Sequence, residues 1–385
     1  MRTSMSLSFF PCSKPLITEK NILAVTKSLQ NPKKDTVVDF EEALANYCGA
    51  KYAVAFSSGT AAKMAAYFAI DLDVSDRIIT TPNAPISTIC SGVALKNRIH
   101  LVDIDLKTGM MDLELIGEKL KSHASRGRPI LVPFHFTGTL SDVQTIDQML
   151  CHPEAIIIED ASQAFGSSYS DGSKVGCCAC SEMTLFSFGL NKIMTTGQGG
   201  MVTTNDEKLF HRLKIFQNNG LDERKENPLL RTYEHSVVTG NHQLTNFQAA
   251  FGLSQFEEIE FFIQKRRLLI DRYHKNLQNI PCLTLFKKDF DKETSPHLFI
   301  IQIDFPALKT TREKPVRFLH EKGIETGRHY HPLHQQPVLK YNLDSSEEYP
   351  CMDLYYERTL TLPLYTSLNE NEVDYICDTL KSALR

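Results

Sequence analysis

Three stretches of the 385-residue sequence combine residue types that can do chemistry together. Lys192 stands in Leu185-Phe186-Ser187-Phe188-Gly189-Leu190-Asn191-Lys192, between an apolar run and the turn Gly197-Gln198-Gly199-Gly200. A lysine becomes a useful nucleophile when desolvation or neighbouring cations depress its pKa, and an apolar run ending in a flexible turn supplies that setting. Asp160 closes Ile156-Ile157-Ile158-Glu159-Asp160, and Gln163 follows three residues later. A carboxylate at the end of an apolar run needs a cation or several donors; the competing reading is a cap on a following helix. Ser57-Ser58-Gly59-Thr60-Ala61-Ala62 sets a small-residue turn before an Ala-rich run. Glycine lets an anion approach the backbone, first-turn N–H groups grip phosphate, and Thr60 adds a hydroxyl. The Gly-Lys-Ser/Thr ending of a Walker loop is missing, and a plain helix cap after a strand accounts for the same residues. A lysine for an aldehyde, a carboxylate for a pyridine nitrogen and a cradle for a phosphate are jointly the parts that pyridoxal phosphate requires.

These residues need a scaffold that brings strand ends together. From residue 50 to about 205, short apolar runs alternate with helical stretches: Tyr52–Phe56, Arg77–Thr80, Ile99–Asp103, Ile130–Phe134, Ala155–Ile158 and Met183–Phe188, then Gly200–Thr204. Their β-rich content predicts a largely parallel, buried sheet of βα units. The last two runs are too close for an intervening helix and predict a local antiparallel or crossover element. Such sheets bind ligands beyond the carboxyl ends of their strands, where all three stretches fall. Leu244–Gln264 carries Phe247, Phe251, Ile259, Phe262 and Ile263 at helical spacing and predicts one long helix leaving the first domain. Beyond it, Phe299–Ile303 predicts a strand, Pro315–Lys322 a helix stopped by Gly323, Gly323–Tyr330 a loop and strand, and Asn371–Leu384 a terminal helix. The expected organisation is a large domain over residues 15–250 and a small C-terminal α+β domain over 251–385.

Composition narrows the partners. A net charge of −4 without a basic stripe speaks against nucleic acid, and no window approaches the about 20 apolar residues of a membrane span. Ten cysteines scattered along a long chain, and an N-terminus without a signal-type apolar core, point to reduced thiols and a cytoplasmic location. Cys177-Cys178-Ala179-Cys180 lacks a second cysteine pair at ligand spacing, and the cluster of His329, His331 and His334 lacks further ligands nearby, so no metal site is expected. His135 closes the Ile130–Phe134 run; it either faces the ligand or simply ends the strand.

The motifs, in order, resemble the DegT/DnrJ/EryC1/StrS family of nucleotide-sugar aminotransferases. They are Ser57-Ser58-Gly59-Thr60-Ala61-Ala62, Glu159-Asp160-Ala161-Ser162-Gln163-Ala164, Phe186-Ser187-Phe188 with Lys192, and Gly199-Gly200. Gly252-Leu253-Ser254-Gln255, Gly323-Ile324, His329-Tyr330-His331-Pro332-Leu333-His334 and Leu362-Pro363-Leu364 follow. The resemblance implies the type I pyridoxal-phosphate transferase fold, an α/β architecture with a mostly parallel seven-stranded sheet between helices. It implies that Lys192 is the lysine that bonds the cofactor, where the family's dehydratase branch has histidine. Asp160 would face the pyridine nitrogen and Gln163 the ring hydroxyl, with Gly59, Thr60 and Ser187 on the phosphate. Asn241 matches an asparagine reaching the phosphate of a neighbouring subunit, which implies a homodimer with shared active sites. His329 matches a residue near the nucleotide-sugar substrate. Ser181–Phe188 looks most like enzymes that aminate C4 of UDP-linked 4-keto-6-deoxy hexoses for surface glycans, with glutamate as the usual donor. The family's ring-covering aromatic is replaced by Ile86; Gly189, Gln198 and Gln243 replace a histidine, a glutamate and an arginine. The alternatives are another pyridoxal-phosphate reaction on this fold (dehydration, 3-keto or non-sugar amination) or a non-catalytic regulatory role.

Overall fold

The computed structural model describes residues 9–385 apart from 32–34, 123–126, 151, 153, 223–231, 287–292 and 344–345. Strands β1 (Tyr52–Phe56), β2 (Arg77–Thr80), β3 (Arg98–Leu101), β4 (Pro129–Leu131), β5 (Ile156–Asp160), β6 (Met183–Ser187) and β7 (Gly200–Thr204) form one sheet in the order β1-β7-β6-β5-β4-β2-β3. The pairs from β6 through β3 are parallel, and β7 runs antiparallel to both β6 and β1. Strands β2, β4 and β7 are buried at every position, as helices on both faces require, and even their polar residues Arg77, Thr80, Thr203 and Thr204 are enclosed.

Helix Gly59–Ala69 packs on β6 and β7. The Ser58 hydroxyl accepts from the Ala61 N–H at 3.1 Å, and alanines at 61, 62, 65, 66 and 69 combine high helix propensity with a thin buried face. The approach is close: a β-carbon on Gly200 would lie 2.4 Å from the Ser58 carbonyl oxygen and 2.7 Å from the Gly59 Cα. The absence of a side chain at 200 is what lets the helix start sit on the sheet.

A second, antiparallel sheet orders β10 (Thr359–Leu362), β9 (Phe299–Ile303) and β8 (Leu283–Leu285), with β9 fully buried in the middle. Helices Ile259–Leu277, Glu313–Glu321 and Glu370–Ala383 close over its core of Leu269, Phe299, Ile301, Leu362 and Leu380. The main core, around Val54, Ile78, Phe134, Leu185 and Val202, also takes in Leu298 and Ile300, so the two sheets share packing.

Two expectations are corrected. Leu244–Gln264 is not one helix but parts of two, Asn246–Phe256 and Ile259–Leu277. Thr245 and Gln248 form a capping box that starts the first helix. Glu257 and Glu258 then fall where carboxylates oppose the negative end of one helix dipole and suit the positive end of the next. Gly323–Tyr330 makes isolated bridges rather than a strand. Ile324 pairs with Phe10 and Gly327 with Thr361, so the incoming N-terminal segment takes the edge that a continuous strand would have used.

Candidate active site

Asp160 ends β5, and its backbone continues the parallel pairing: its N–H donates to the Pro133 carbonyl at 2.9 Å and its carbonyl accepts from the His135 N–H at 3.0 Å. The side chain is wholly buried. Oδ2 accepts from the Lys63 ammonium at 2.7 Å and the Thr88 hydroxyl at 2.6 Å, whereas Oδ1 has one long bond, from the Ser162 N–H at 3.2 Å. No helix begins after residue 160, so capping does not explain this carboxylate. Burial pushes the carboxyl up, but Lys63, Thr88 and Ser162 together outweigh it and hold it below the usual range.

Lys192 sits in the turn after β6, its N–H bonded to the Gly189 carbonyl at 3.0 Å. The turn is tied by the Thr196 N–H and Thr195 hydroxyl, both donating to the Phe188 carbonyl, and reverses at Gly197 with φ near +82°. Lys192, Ser162, Gln163, Ser187 and His297 line one small hollow. Burial first, and then the Lys63 charge, bring the Lys192 ammonium down to about 8, against the pull of Asp160. From an ordinary 10.5, this raises the neutral fraction at pH 7 to roughly one in ten.

Gln163 and His297 in the hollow's wall, and His329 nearby, are each fixed by their surroundings. Gln163 accepts from the Thr137 N–H at 2.8 Å and donates to the Tyr330 hydroxyl, so its amide plane is fixed. His329 Nδ1 pairs with the Thr361 hydroxyl at 2.9 Å; burial, with help from Lys192, lowers its pKa to about 4. His297 is buried, its Nδ1 has no hydrogen-bond partner, and burial, reinforced by the Lys192 and Arg266 charges, keeps it neutral.

At the start of helix Gly59–Ala69, a β-carbon on Gly59 would lie 2.7 Å from both Cβ and Oγ of Ser187. Only glycine allows this contact, which places Ser187 beside the helix's first turn. The Ser58 cap is directed to Ala61, and the exposed Thr60 stands beside Gly59 at the helix start. Asn241 lies elsewhere: it is exposed and lines a separate cleft with Lys51, Lys214 and Gln217.

The sequence pattern of the DegT/DnrJ/EryC1/StrS aminotransferase family matches residues 15–381. The chain belongs to this family. It is 30% identical over 387 aligned residues to the spore coat polysaccharide biosynthesis protein SpsC of Bacillus subtilis, spanning 98% of this chain and 97% of that one. It is 28% identical over 358 residues to the GDP-perosamine synthase of Caulobacter vibrioides, 90% of each chain. Helicobacter pylori PseC, an aminotransferase involved in the biosynthesis of pseudoaminic acid, superposes with a TM-score of 0.89 at 26% identity, over 98% of this chain and 99% of that one. As a DegT/DnrJ/EryC1/StrS member the protein is a pyridoxal-phosphate-dependent aminotransferase of sugar nucleotides.

The residues present fit that cofactor. Asp160 Oδ1 keeps a lone pair for a protonated ring nitrogen, Lys192 offers an amine in the hollow, and the Gly59–Ser187 contact forms a cradle that a β-carbon would fill. Other sequence candidates lead away from ligand. His135 is wholly buried; its Nδ1 accepts from the Ser141 N–H, so its Nε2 donates to Glu159 at 2.8 Å. It lies beyond the end of β4 at Leu131, rather than closing the strand, and anchors Glu159. His331 stacks on Tyr356, and His334 pairs with Asp353. Cys178 is buried with Thr184 and Thr203 as its neighbours. Ile86 is 44% exposed, on the turn that delivers Ser87 and Thr88. Gln243 is exposed, its N–H bonded to Asn241 Oδ1.

Two residues escaped the sequence reading: Lys63 and Thr88, the partners of Asp160. Lys63 did carry a signal, being the one charged residue in an Ala-rich helix and one turn after Gly59, hence on the same face. Thr88 carried none, since nothing in Pro82–Thr88 distinguishes its hydroxyl from those of its neighbours.

No helix among the described residues is long and apolar enough to cross a membrane.

Proposed function

We propose that this protein moves an amino group from glutamate to C4 of a UDP-linked 4-keto-6-deoxy hexose, through pyridoxal phosphate held by Gly59, Thr60, Asp160, Gln163, Ser187 and Lys192. The observation that carries the reading is the pairing of a partly deprotonated Lys192 with a charged Asp160 whose Oδ1 is not saturated. When bound, pyridoxal phosphate supplies an electron sink for a breaking C–H bond. Lys192 takes the proton from the donor's α-carbon and returns it during amination of the sugar, which an amine titrating near 8 does in both directions. Asp160 would hold a proton on the cofactor's ring nitrogen through its lightly used Oδ1. Gln163, braced by Thr137 and Tyr330, orients the ring from its hydroxyl edge.

His329, neutral above pH 4, offers the sugar nucleotide a hydrogen bond and no charge. The exposed position of Asn241, outside the hollow of its own chain, supports a role in a partner subunit's phosphate site and hence a homodimer. The choice of sugar rests on the Ser181–Phe188 stretch and on the likeness to PseC.

The test is a coupled assay. Protein loaded with pyridoxal phosphate is given glutamate, and then 4-keto-6-deoxy sugars linked to UDP, dTDP or GDP, with products read by mass spectrometry. The expected product is the UDP-linked 4-amino sugar with one 2-oxoglutarate per turnover. Turnover of the GDP substrate alone refutes the nucleotide choice; no spectral change with glutamate refutes the donor.

A further inference from the structure

Lys63 is a buried cation beside Asp160 that the transamination scheme above does not use. It projects from helix Gly59–Ala69, one turn after Gly59, and is 2% exposed. Its ammonium reaches Asp160 Oδ2 at 2.7 Å, Ser87 Oγ at 3.0 Å and Thr88 Oγ1 at 3.3 Å. An ammonium has three protons, and three acceptors are in place. Thr88 in turn donates to the same Oδ2 at 2.6 Å. The group is therefore pinned on all sides, and Oδ2 is fully spent on it.

The remaining titratable neighbours bring no compensating negative charge. His297 and His329 are neutral, and Tyr330 keeps its proton because burial raises its pKa. Tyr67, which donates to the Thr88 carbonyl, and Cys90, which faces Lys63, are likewise raised by burial and protonated. Lys192 adds positive charge or none. Glu159, the adjacent carboxylate on β5, projects to the other face and is bonded to His135, Tyr169, Ser181 and Thr184, so Asp160 is the carboxylate that faces Lys63, and the Lys63 ammonium balances it before any ligand arrives.

We infer that Lys63 is a positioning residue that divides Asp160 between two cations, committing Oδ2 to itself and leaving Oδ1 alone to hold the protonated ring nitrogen of pyridoxal phosphate. The inference rests on the cofactor placement proposed above. Its consequence is electrostatic: the ring proton meets a compensated carboxylate, so the nitrogen gives it up more readily than it would beside an unpaired one. Charge near the ring is set by the fold through residue 63, and Asp160 presents one defined oxygen because the other cannot turn away from Lys63.

The experiment compares pyridoxal phosphate with its analogue bearing carbon in place of the ring nitrogen, on cofactor-free wild type, Lys63→Gln, Lys63→Met and Lys63→Arg. Equilibrium dialysis gives the ratio of the two dissociation constants, which isolates the ring nitrogen from the phosphate and aldehyde. Removing one fixed charge from a buried pair is expected to raise the preference for the natural cofactor by about tenfold in Lys63→Gln. Lys63→Arg should keep the wild-type ratio. Gln retains a donor for Oδ2 and Met the chain length, so either neutral variant that folds gives the answer. A second readout is the pH titration of the visible band of the loaded protein, whose midpoint should rise by about one unit in the neutral variants and stay within a few tenths in Lys63→Arg. An unchanged ratio and midpoint in a neutral variant overturn the inference while leaving the cofactor placement intact. A wild type that makes no borohydride-fixable bond at Lys192, or that binds the carbon analogue as tightly as the natural cofactor, overturns both.

Discussion

Gly200→Ala tests the phosphate cradle through the sheet rather than through any group that would touch the ligand. Gly200 pairs with Phe56 on one side and Ser187 on the other, so it lies between the two strand ends that feed the cradle. The added β-carbon would stand 2.4 Å from the Ser58 carbonyl oxygen, 2.7 Å from the Ser58 carbonyl carbon and 2.7 Å from the Gly59 Cα. All three are backbone atoms, so no rotamer change relieves the contact. Restoring an ordinary separation moves the helix start by about 1 Å, an overpacking that costs about 1–3 kcal/mol of stability. The same movement pulls Gly59 and Thr60 from Ser187. Loss of one charge-assisted hydrogen bond to phosphate is worth about 1.5–3 kcal/mol, a weakening of roughly 10- to 100-fold. The assay is titration of the cofactor-free protein with pyridoxal phosphate, alongside its melting curve. Gly117→Ala is the control, because nothing lies within 4 Å of that position in helix Leu113–Ser122. It should gain up to about 1 kcal/mol from helix propensity and leave affinity alone. Wild-type affinity in Gly200→Ala would show that the phosphate does not bind at this helix start.

Three other perturbations address the remaining parts. Because Lys192 titrates at about 8, covalent capture of pyridoxal phosphate by the cofactor-free protein should rise through pH 8 and level off soon above it; capture still climbing at pH 10 contradicts the depressed value. Asp160→Asn leaves the buried Lys63 without its counter-charge, so a melting loss equivalent to about 3 kcal/mol and at least a hundredfold lower kcat are expected, and a near-normal rate would demote Asp160 to a structural role. Glu159 and Asp160 are both held below their ordinary range. Their contribution to stability is therefore complete above the unfolded value of about 4 and lost as pH falls through the lower folded values. Melting temperatures between pH 5 and pH 2 should show that loss, and Glu159→Gln should flatten part of it.

Much of the large sheet could be read from the sequence because strands buried on both faces leave short, β-rich runs with apolar residues at their centres, whichever way they run. Tyr52–Phe56, Arg77–Thr80 and Gly200–Thr204 keep the expected bounds, and β6 and β7 pair antiparallel as their short spacing requires. Periodicity failed at one helix break. Hydrophobic spacing runs straight through Glu257-Glu258, yet the first helix ends at Phe256 and the next starts at Ile259. Lys63 stood out as the one charge in an Ala-rich helix, but a lysine is usually solvated, and only the tertiary approach of β5 turns this one into the partner of Asp160. The place of Asn241 outside the hollow of its own chain is what the family resemblance implies, although no residue beside it in the sequence carries that information.

The two adjacent carboxylates at the end of β5 have different surroundings, and the difference bears on why this strand is proposed to carry the acid that faces the cofactor ring. Successive residues of a strand project to opposite faces, so Glu159 and Asp160 face apart. Glu159 accepts from His135, Thr184, Tyr169 and Ser181, a set drawn from the β4 end, β6 and the intervening loop. It fastens β5 to its surroundings with hydrogen bonds and is almost fully enclosed. That fastening, with the Pro133 and His135 backbone bonds, fixes the height at which Asp160 emerges on the other face. Asp160 is balanced by one ammonium and keeps an oxygen lightly used. One carboxylate is saturated to hold the backbone still, and the other is left partly open to hold a ligand. Exchanging their environments would give a rigid strand with nothing to offer a cofactor, which is why the order Glu-Asp, and the presence of Lys63 on the Asp side alone, matters more to the site than the number of acids.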